Sequence, residues 1–165
     1  MKEFIIYTNA QYNPETKNGA SSIIVLDAGE TAVLYGRAKA LHWENPEKKN
    51  YAPVHHWGAL IAAVQNAPDE SHIIIKTPDN ICAGFIDGTI NPQANREYAE
   101  LFCEEVRKKK LRVASVKVAG YESVVRKGLT PDWRSEMAYN LGQDAILSML
   151  TTGKQIVEIG SKGAL

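Results

Sequence analysis

Phe4-Ile5-Ile6-Tyr7-Thr8 opens the chain with five consecutive apolar, aromatic or β-branched residues. A strand buried on one face alternates with polar residues; a strand buried on both faces does not, so this run reads as covered on each side. The stretch from Asn9 to Gly19 holds Asn9, Asn13, Pro14, Asn18 and Gly19, which reads as a loop leaving that strand. A second strand spans Ala20 to Leu26, Asp27-Ala28-Gly29-Glu30 supplies a turn, and Thr31 to Ala38 returns as its hairpin partner. Three antiparallel strands therefore come first.

Further along, Leu41 to Pro53 reads as a long polar loop containing Lys48-Lys49-Asn50. Trp57, Leu60, Ile61 and Val64 recur at helical spacing between Val54 and Ala67, and Pro68 ends that helix. Ile73-Ile74-Ile75 is the most apolar run of the chain, a central strand parallel to the first. A short helix follows at Asn80 to Ile86, then a turn at Asp87-Gly88. A longer helix spans Pro92 to Lys110, with Tyr98, Leu101, Phe102 and Val106 as its inner face. Leu111 to Ala119 alternates as a fifth strand, and a Gly- and Pro-bearing loop leads to a last helix from Asp132 to Leu150. Residues 1–150 form one domain, and in the extension 151–165 the run Ile156-Val157-Glu158-Ile159 is either an added strand or a loose tail. The expected class is α/β: a mixed five-stranded sheet, three antiparallel strands followed by parallel ones, with helices on both faces.

Composition sets outer limits. With 165 residues, 44% hydrophobic and 23% charged, the chain is long enough for one well-buried domain and too apolar for disorder. Nineteen basic residues balance 19 acidic ones, which argues against a surface basic all over and leaves room for a local patch. Cys82 and Cys103 form no CxxC pair and read as small buried hydrophobes of a reduced, cytoplasmic protein. No apolar run approaches the ~20 residues of a membrane span, and Met1-Lys2-Glu3-Phe4 lacks a signal peptide's apolar core, so no membrane partner is expected.

Six segments in this order resemble the type 1 ribonuclease H family. They are Tyr7-Thr8-Asn9-Ala10-Gln11, Asn18-Gly19-Ala20-Ser21, Ala59-Leu60-Ile61-Ala62-Ala63, Thr77-Pro78-Asp79, Val118-Ala119-Gly120-Tyr121 and Ser135-Glu136-Met137-Ala138. The resemblance covers about residues 3 to 150 and implies a ribonuclease H-like fold. It also implies hydrolysis of RNA–DNA hybrids by two Mg²⁺ ions held among four carboxylates, with a mobile histidine aiding product release. Magnesium takes oxygen ligands, and negative charge on them offsets the loss of its waters.

Placed residue by residue, the resemblance puts Asn9, Ala59, Pro78 and Ser135 at the four carboxylate positions and Tyr121 at the histidine. None of the four is charged. Asp79 and Glu136 each stand one residue away and could serve as metal ligands only with a register slip; otherwise they are first-turn helix carboxylates. Asn9 is either a remnant of the ligand site or a turn residue at a strand end.

Other clusters have plainer readings. His55 and His56, with His42 nearby, point to different helix faces and read as a solvated helix start. Arg107-Lys108-Lys109-Lys110 with Arg112 is the densest basic run; it is either a phosphate-binding stripe or a helix end favoured by the macrodipole. Trp57 reads as core, Trp133 as packing the last helix on the sheet, and Trp43 as a partly exposed residue able to stack on a base or partner.

The expected function is a catalytically degenerate ribonuclease H-like domain, a pseudoenzyme that binds nucleic acid, an RNA–DNA hybrid or duplex, weakly, or else a protein partner. No cofactor is expected. The alternative is an active Mg²⁺-dependent hybrid ribonuclease with a shifted carboxylate site.

Overall fold

A computed structural model describes residues 1–44 and 52–165, so the Lys48-Lys49-Asn50 part of the expected polar loop lies outside the described residues. β1 (Glu3–Tyr12), β2 (Asn18–Asp27) and β3 (Val33–His42) form the antiparallel meander read from the sequence. β4 (His72–Thr77) pairs in parallel with β1, and β5 (Arg112–Lys117) in parallel with β4. The sheet has six strands rather than the expected five, in the order β5-β4-β1-β2-β3-β6. The sixth, β6 (Ile156–Gly160), comes from the 151–165 extension and pairs antiparallel with β3 from Tyr35↔Gly160 to Lys39↔Ile156. It forms because β3 would otherwise present a row of unpaired backbone groups at the sheet edge.

Both faces of the sheet are covered, as the unbroken run at the start of β1 requires. Phe4 and Ile6 point into one cluster with Trp57, Leu60, Val64 and Phe102, contributed by α1 (Ala52–Asn66) and α3 (Arg96–Lys109). Ile5 and Tyr7 point to the other face, where Ala138, Leu141 and Ala145 of α5 (Trp133–Thr152) pack. α5 approaches closely because Gly142 carries no side chain where a Cβ would collide with Gln11. α2 (Asn80–Asp87) follows β4 and packs against β5, where the Ser115 hydroxyl donates to the Ala83 carbonyl at 2.9 Å. Among the described residues, no helix is long and apolar enough to cross a membrane.

Several side chains depart from their expected positions. α3 begins at Arg96, four residues later than Pro92, and its inner face uses Tyr98, Ala99, Phe102 and Val106 while Leu101 is exposed. Cys82 is buried, but Cys103 lies on the exposed side of α3. Trp57 is core, as expected. Trp133 is 45% exposed; it sits at the N-terminus of α5 with the Arg134 guanidinium 5.4 Å from its ring centre, and Met137, Ala138 and Leu141 do the packing instead. Trp43 is half-buried.

An ionic hub ties α5 to the sheet. Glu30, in the β2–β3 turn, accepts from the Tyr7 hydroxyl at 2.8 Å and pairs with Lys76 at 3.1 Å and Arg134 at 3.3 Å. Lys76 and Arg134 also flank the Tyr7 ring, 5.5 and 5.4 Å from its centre. Burial acts to raise the Glu30 carboxyl, but the bonds from Tyr7 and Lys76 and the two positive charges outweigh it and hold the group below the usual carboxylate range. Its contribution is therefore full above the unfolded pKa and lost as pH falls through the lowered folded value. Glu30→Gln is expected to cost about 1–3 kcal/mol in denaturant melts at pH 7, between an exposed pair and the truncation of a buried one. Below pH ~4 the wild type should lose stability more steeply than the variant; parallel pH profiles would show that the hub is not an acid-linked tie.

Candidate functional site

β1 does not end at Thr8. It continues through Tyr12, with Asn9 paired opposite Ser22 on β2, so Asn9 is a mid-strand residue and not the turn residue its neighbours Asn13 and Pro14 suggest. The Asn9 side chain is 6% exposed, and its Oδ1 has no hydrogen-bond partner among the described residues. The parallel register Tyr7↔Lys76 carries Pro78, just past β4, alongside Asn9, and Thr77↔Lys117 brings the end of β5 to the same edge. Ligands of open α/β sheets bind outside the carboxyl ends of parallel strands. A cleft of about 400 Å³ lies there, lined by Asn9, His56, Pro78, Lys117, Tyr121 and Glu122, with Arg126 and Lys127 at its far wall.

The far wall belongs to α4 (Tyr121–Arg126), which stands where the sequence reads as a loop. Gly120 before it and Gly128 after it, the latter at φ +73°, are the start and stop signals that bracket so short a helix. They are the trace by which Arg126 and Lys127 could have been found.

The expected site residues scatter around this cleft. Ala59 is buried within α1, and the helix position that reaches the cleft is His56, nearly one turn earlier. Burial holds the His56 imidazole below its usual value, while the nearby Asp79 carboxylate acts in the opposite direction. Asp79 caps α2: its Oδ2 accepts from the Cys82 amide at 2.8 Å. Glu136 lines a separate cleft of about 380 Å³ with Trp133, Met137 and Ile159. Ser135 is half-buried in the first turn of α5. Tyr121 is in the cleft, its ring stacked on Tyr139 at 4.3 Å between centres.

The structure does not bring the basic run to the cleft. Arg112 opens β5 opposite His72, whereas the cleft sits beyond Lys117 at the other end of that strand, about 17 Å away at ~3.3 Å per residue. Lys109 is committed elsewhere. Its Nζ donates to the carbonyls of Val64 at 2.9 Å, Gln65 at 2.8 Å and Ala67, closing the C-terminus of α1. Burial lowers its pKa.

A second cleft, of about 440 Å³, adjoins the first through Glu122. Gln11, Tyr139 and Gln143 form one wall: Gln11 Nε2 donates to the Tyr139 carbonyl at 3.0 Å, and Gln143 Nε2 donates to Gln11 Oε1. Burial first, then the Glu122 carboxylate, raises the Tyr139 phenol. Tyr12, which also lines this cleft, stacks on His55. His55 is not the solvated residue expected of a helix start; it is 1% exposed.

The donor set does not fit a pair of Mg²⁺ ions. The first cleft presents one carboxylate, Glu122, against Lys117, Arg126 and Lys127. Among the described residues, no three His, Cys, Asp or Glu side chains are grouped to hold a metal.

No protein-family model matches the sequence, and no curated protein matches it significantly. Solved structures do. The N-terminal ribonuclease H domain of a Mycobacterium tuberculosis protein superposes with a TM-score of 0.66 at 12% identity, over 93% of this chain and 99% of that one. A ribonuclease H1 isolated from compost, in complex with an RNA/DNA hybrid, gives 0.67 at 13% identity over 90% and 99%. Ribonuclease H1 of the halophilic archaeon Halobacterium salinarum gives 0.65 at 12% identity over 88% and 98%. The chain has the ribonuclease H fold.

Burial pulls the His55 imidazole down to about 4, with the neighbouring His56 adding to the shift. An unfolded histidine takes up its proton near pH 6.5, so stability should fall as pH drops from there to about 4 and then level off with respect to this group. In an NMR titration the His55 ring should remain neutral at pH 5; a midpoint at 6 or above would show that it is solvated.

Proposed function

We propose that this chain is a nucleic-acid-binding module that uses the ribonuclease H fold without metal-dependent hydrolysis. It grips phosphate directly through Lys117, Arg126 and Lys127. The observation that carries this reading is the charge of the cleft at the carboxyl ends of β1, β4 and β5: three cations against one carboxylate. Hydrolysis by two metal ions needs the opposite balance. A cluster of anions repels phosphate until metals neutralise it, whereas a cluster of cations attracts phosphate unaided. Asn9 and Pro78 add no charge, and Asp79 spends one oxygen capping α2. The hybrid held by the compost ribonuclease H1 shows a nucleic acid bound to a protein of this fold and supports the same class of partner here. The alternative, a hybrid ribonuclease with a shifted site built on Asn9, Asp79 and Glu136 with Glu122 or Asp132, would need these side chains together, yet Glu136 lines a different cleft from Asn9 and Glu122.

The purified protein is expected not to cleave an RNA–DNA hybrid in Mg²⁺ or Mn²⁺. Turnover that disappears in Glu122→Gln or Asp79→Asn would overturn this and establish the ribonuclease. Binding should be salt-sensitive. Three phosphate contacts give a slope of about −2.7 in log K against log salt for a duplex, and Arg126→Gln should flatten it by ~0.9. A slope that responds to Lys108→Gln and Lys110→Gln instead would assign the contact to the run at 107–112.

A further inference from the structure

The two adjoining clefts differ in chemistry, and the wall between them is aromatic. Tyr121 faces the cationic cleft, Tyr139 faces the amide-lined one, their rings stack, and Glu122 borders both. At about 400 and 440 Å³ each has the volume of a pocket that encloses a small ligand. A double helix can rest across such openings but cannot enter them; a single base can. Asn9 also lines the cationic cleft as a neutral side chain, more than nine-tenths buried, so the positive charge of Lys117, Arg126 and Lys127 is not offset on that wall.

The geometry points to one composite site for an unpaired nucleotide. Its phosphate lies against Lys117, Arg126 and Lys127, and its base enters the second cleft against Tyr139, near the amides of Asn18 and Gln143. The inference rests on the nucleic-acid reading above and narrows it. Base stacking on a tyrosine tolerates any base, and the edge facing Asn18 and Gln143 is reachable only when it is not paired. The ligand is a nucleoside monophosphate unit, either free or at the unpaired end of a strand.

Fluorescence anisotropy on the full chain at low salt tests this with a labelled single-stranded hexanucleotide, a blunt RNA–DNA hybrid and unlabelled adenosine monophosphate as competitor. The single strand should bind at least ~10-fold more tightly than the blunt hybrid. Competition by the monophosphate assigns the site to a free nucleotide as well; its failure to compete assigns the site to a strand end. Tyr139→Leu should weaken the single strand by about 5- to 150-fold, the range for one stacked base, while Tyr139→Phe retains affinity. Thermal melts of both variants report whether the fold is intact, and the phenylalanine variant keeps the test valid if leucine unfolds the chain. Equal affinity for single strand and blunt hybrid, unchanged by Tyr139→Leu, overturns the nucleotide site and leaves duplex binding standing. No binding of any probe at low salt overturns both.

Discussion

β1 lies between an antiparallel neighbour, β2, and a parallel one, β4, and the parallel pairing is the constraint on which the rest depends. Strands paired in parallel finish at the same edge, and joining them requires a crossover of a dozen residues or more. The chain returns through β2 to β3, which runs parallel to β1, and α1 carries it from β3 back to the start of β4; β5 repeats the parallel arrangement on β4. The consequence is local concentration: Asn9, Pro78 and Lys117, far apart in sequence, meet at one end of the sheet. Had β4 run the other way, Pro78 would lie at the opposite edge, beside the start of β1. The apolar interior of Ile6, Ile73 and Ile75 holds this pairing in place, so the cleft is a by-product of the core.

Overall neutrality conceals how the charges are distributed. Asp79 and Asp132 cap α2 and α5, Glu30 holds the hub beside Tyr7, and Lys109 closes α1. Many charged residues that sequence alone makes available for ligands are thus engaged within the fold. Those left at the cleft are mostly positive, and a cleft concentrates the field of the charges that line it. The chain totals nineteen of each sign, yet the local balance decides what it attracts.

Much of the architecture was legible because apolar runs report burial directly. Phe4 to Thr8 and Ile73 to Ile75 gave the two central strands, and Trp57, Leu60 and Val64 gave the first helix. The site was harder to read. Asn9 and Gln11 look like loop residues because they are polar; they remain in β1 because the fold encloses them, Gln11 by bonding to α5 from 128 residues away. Ala59-Leu60-Ile61-Ala62-Ala63 lies within α1, but nothing in it shows that His56 lines the cleft. Ser21 donates to the His55 carbonyl at 2.7 Å and Gly58 lies against Ser21, and this long-range fit holds the turn of α1 from which His56 lines the cleft. The basic run reads as a phosphate-binding stripe or a dipole-favoured helix end because nothing local shows that Lys109 will reach the end of another helix. α4 was missed because six mixed residues carry too little periodicity to stand above their glycines.

β6 adds a consequence for how the chain acquires its structure. Its partner β3 is complete by His42, but the Tyr35 hydroxyl that meets Glu158 does so across 123 residues of sequence. Closing so long a loop carries a large entropy, and contacts of that separation form slowly. During synthesis from the N-terminus, β3 therefore waits with one edge open until nearly the whole described sequence has been made. An open strand edge is a template for any other extended segment. The five residues of β6 thus end the interval in which a nascent chain is most exposed to pairing with its neighbours.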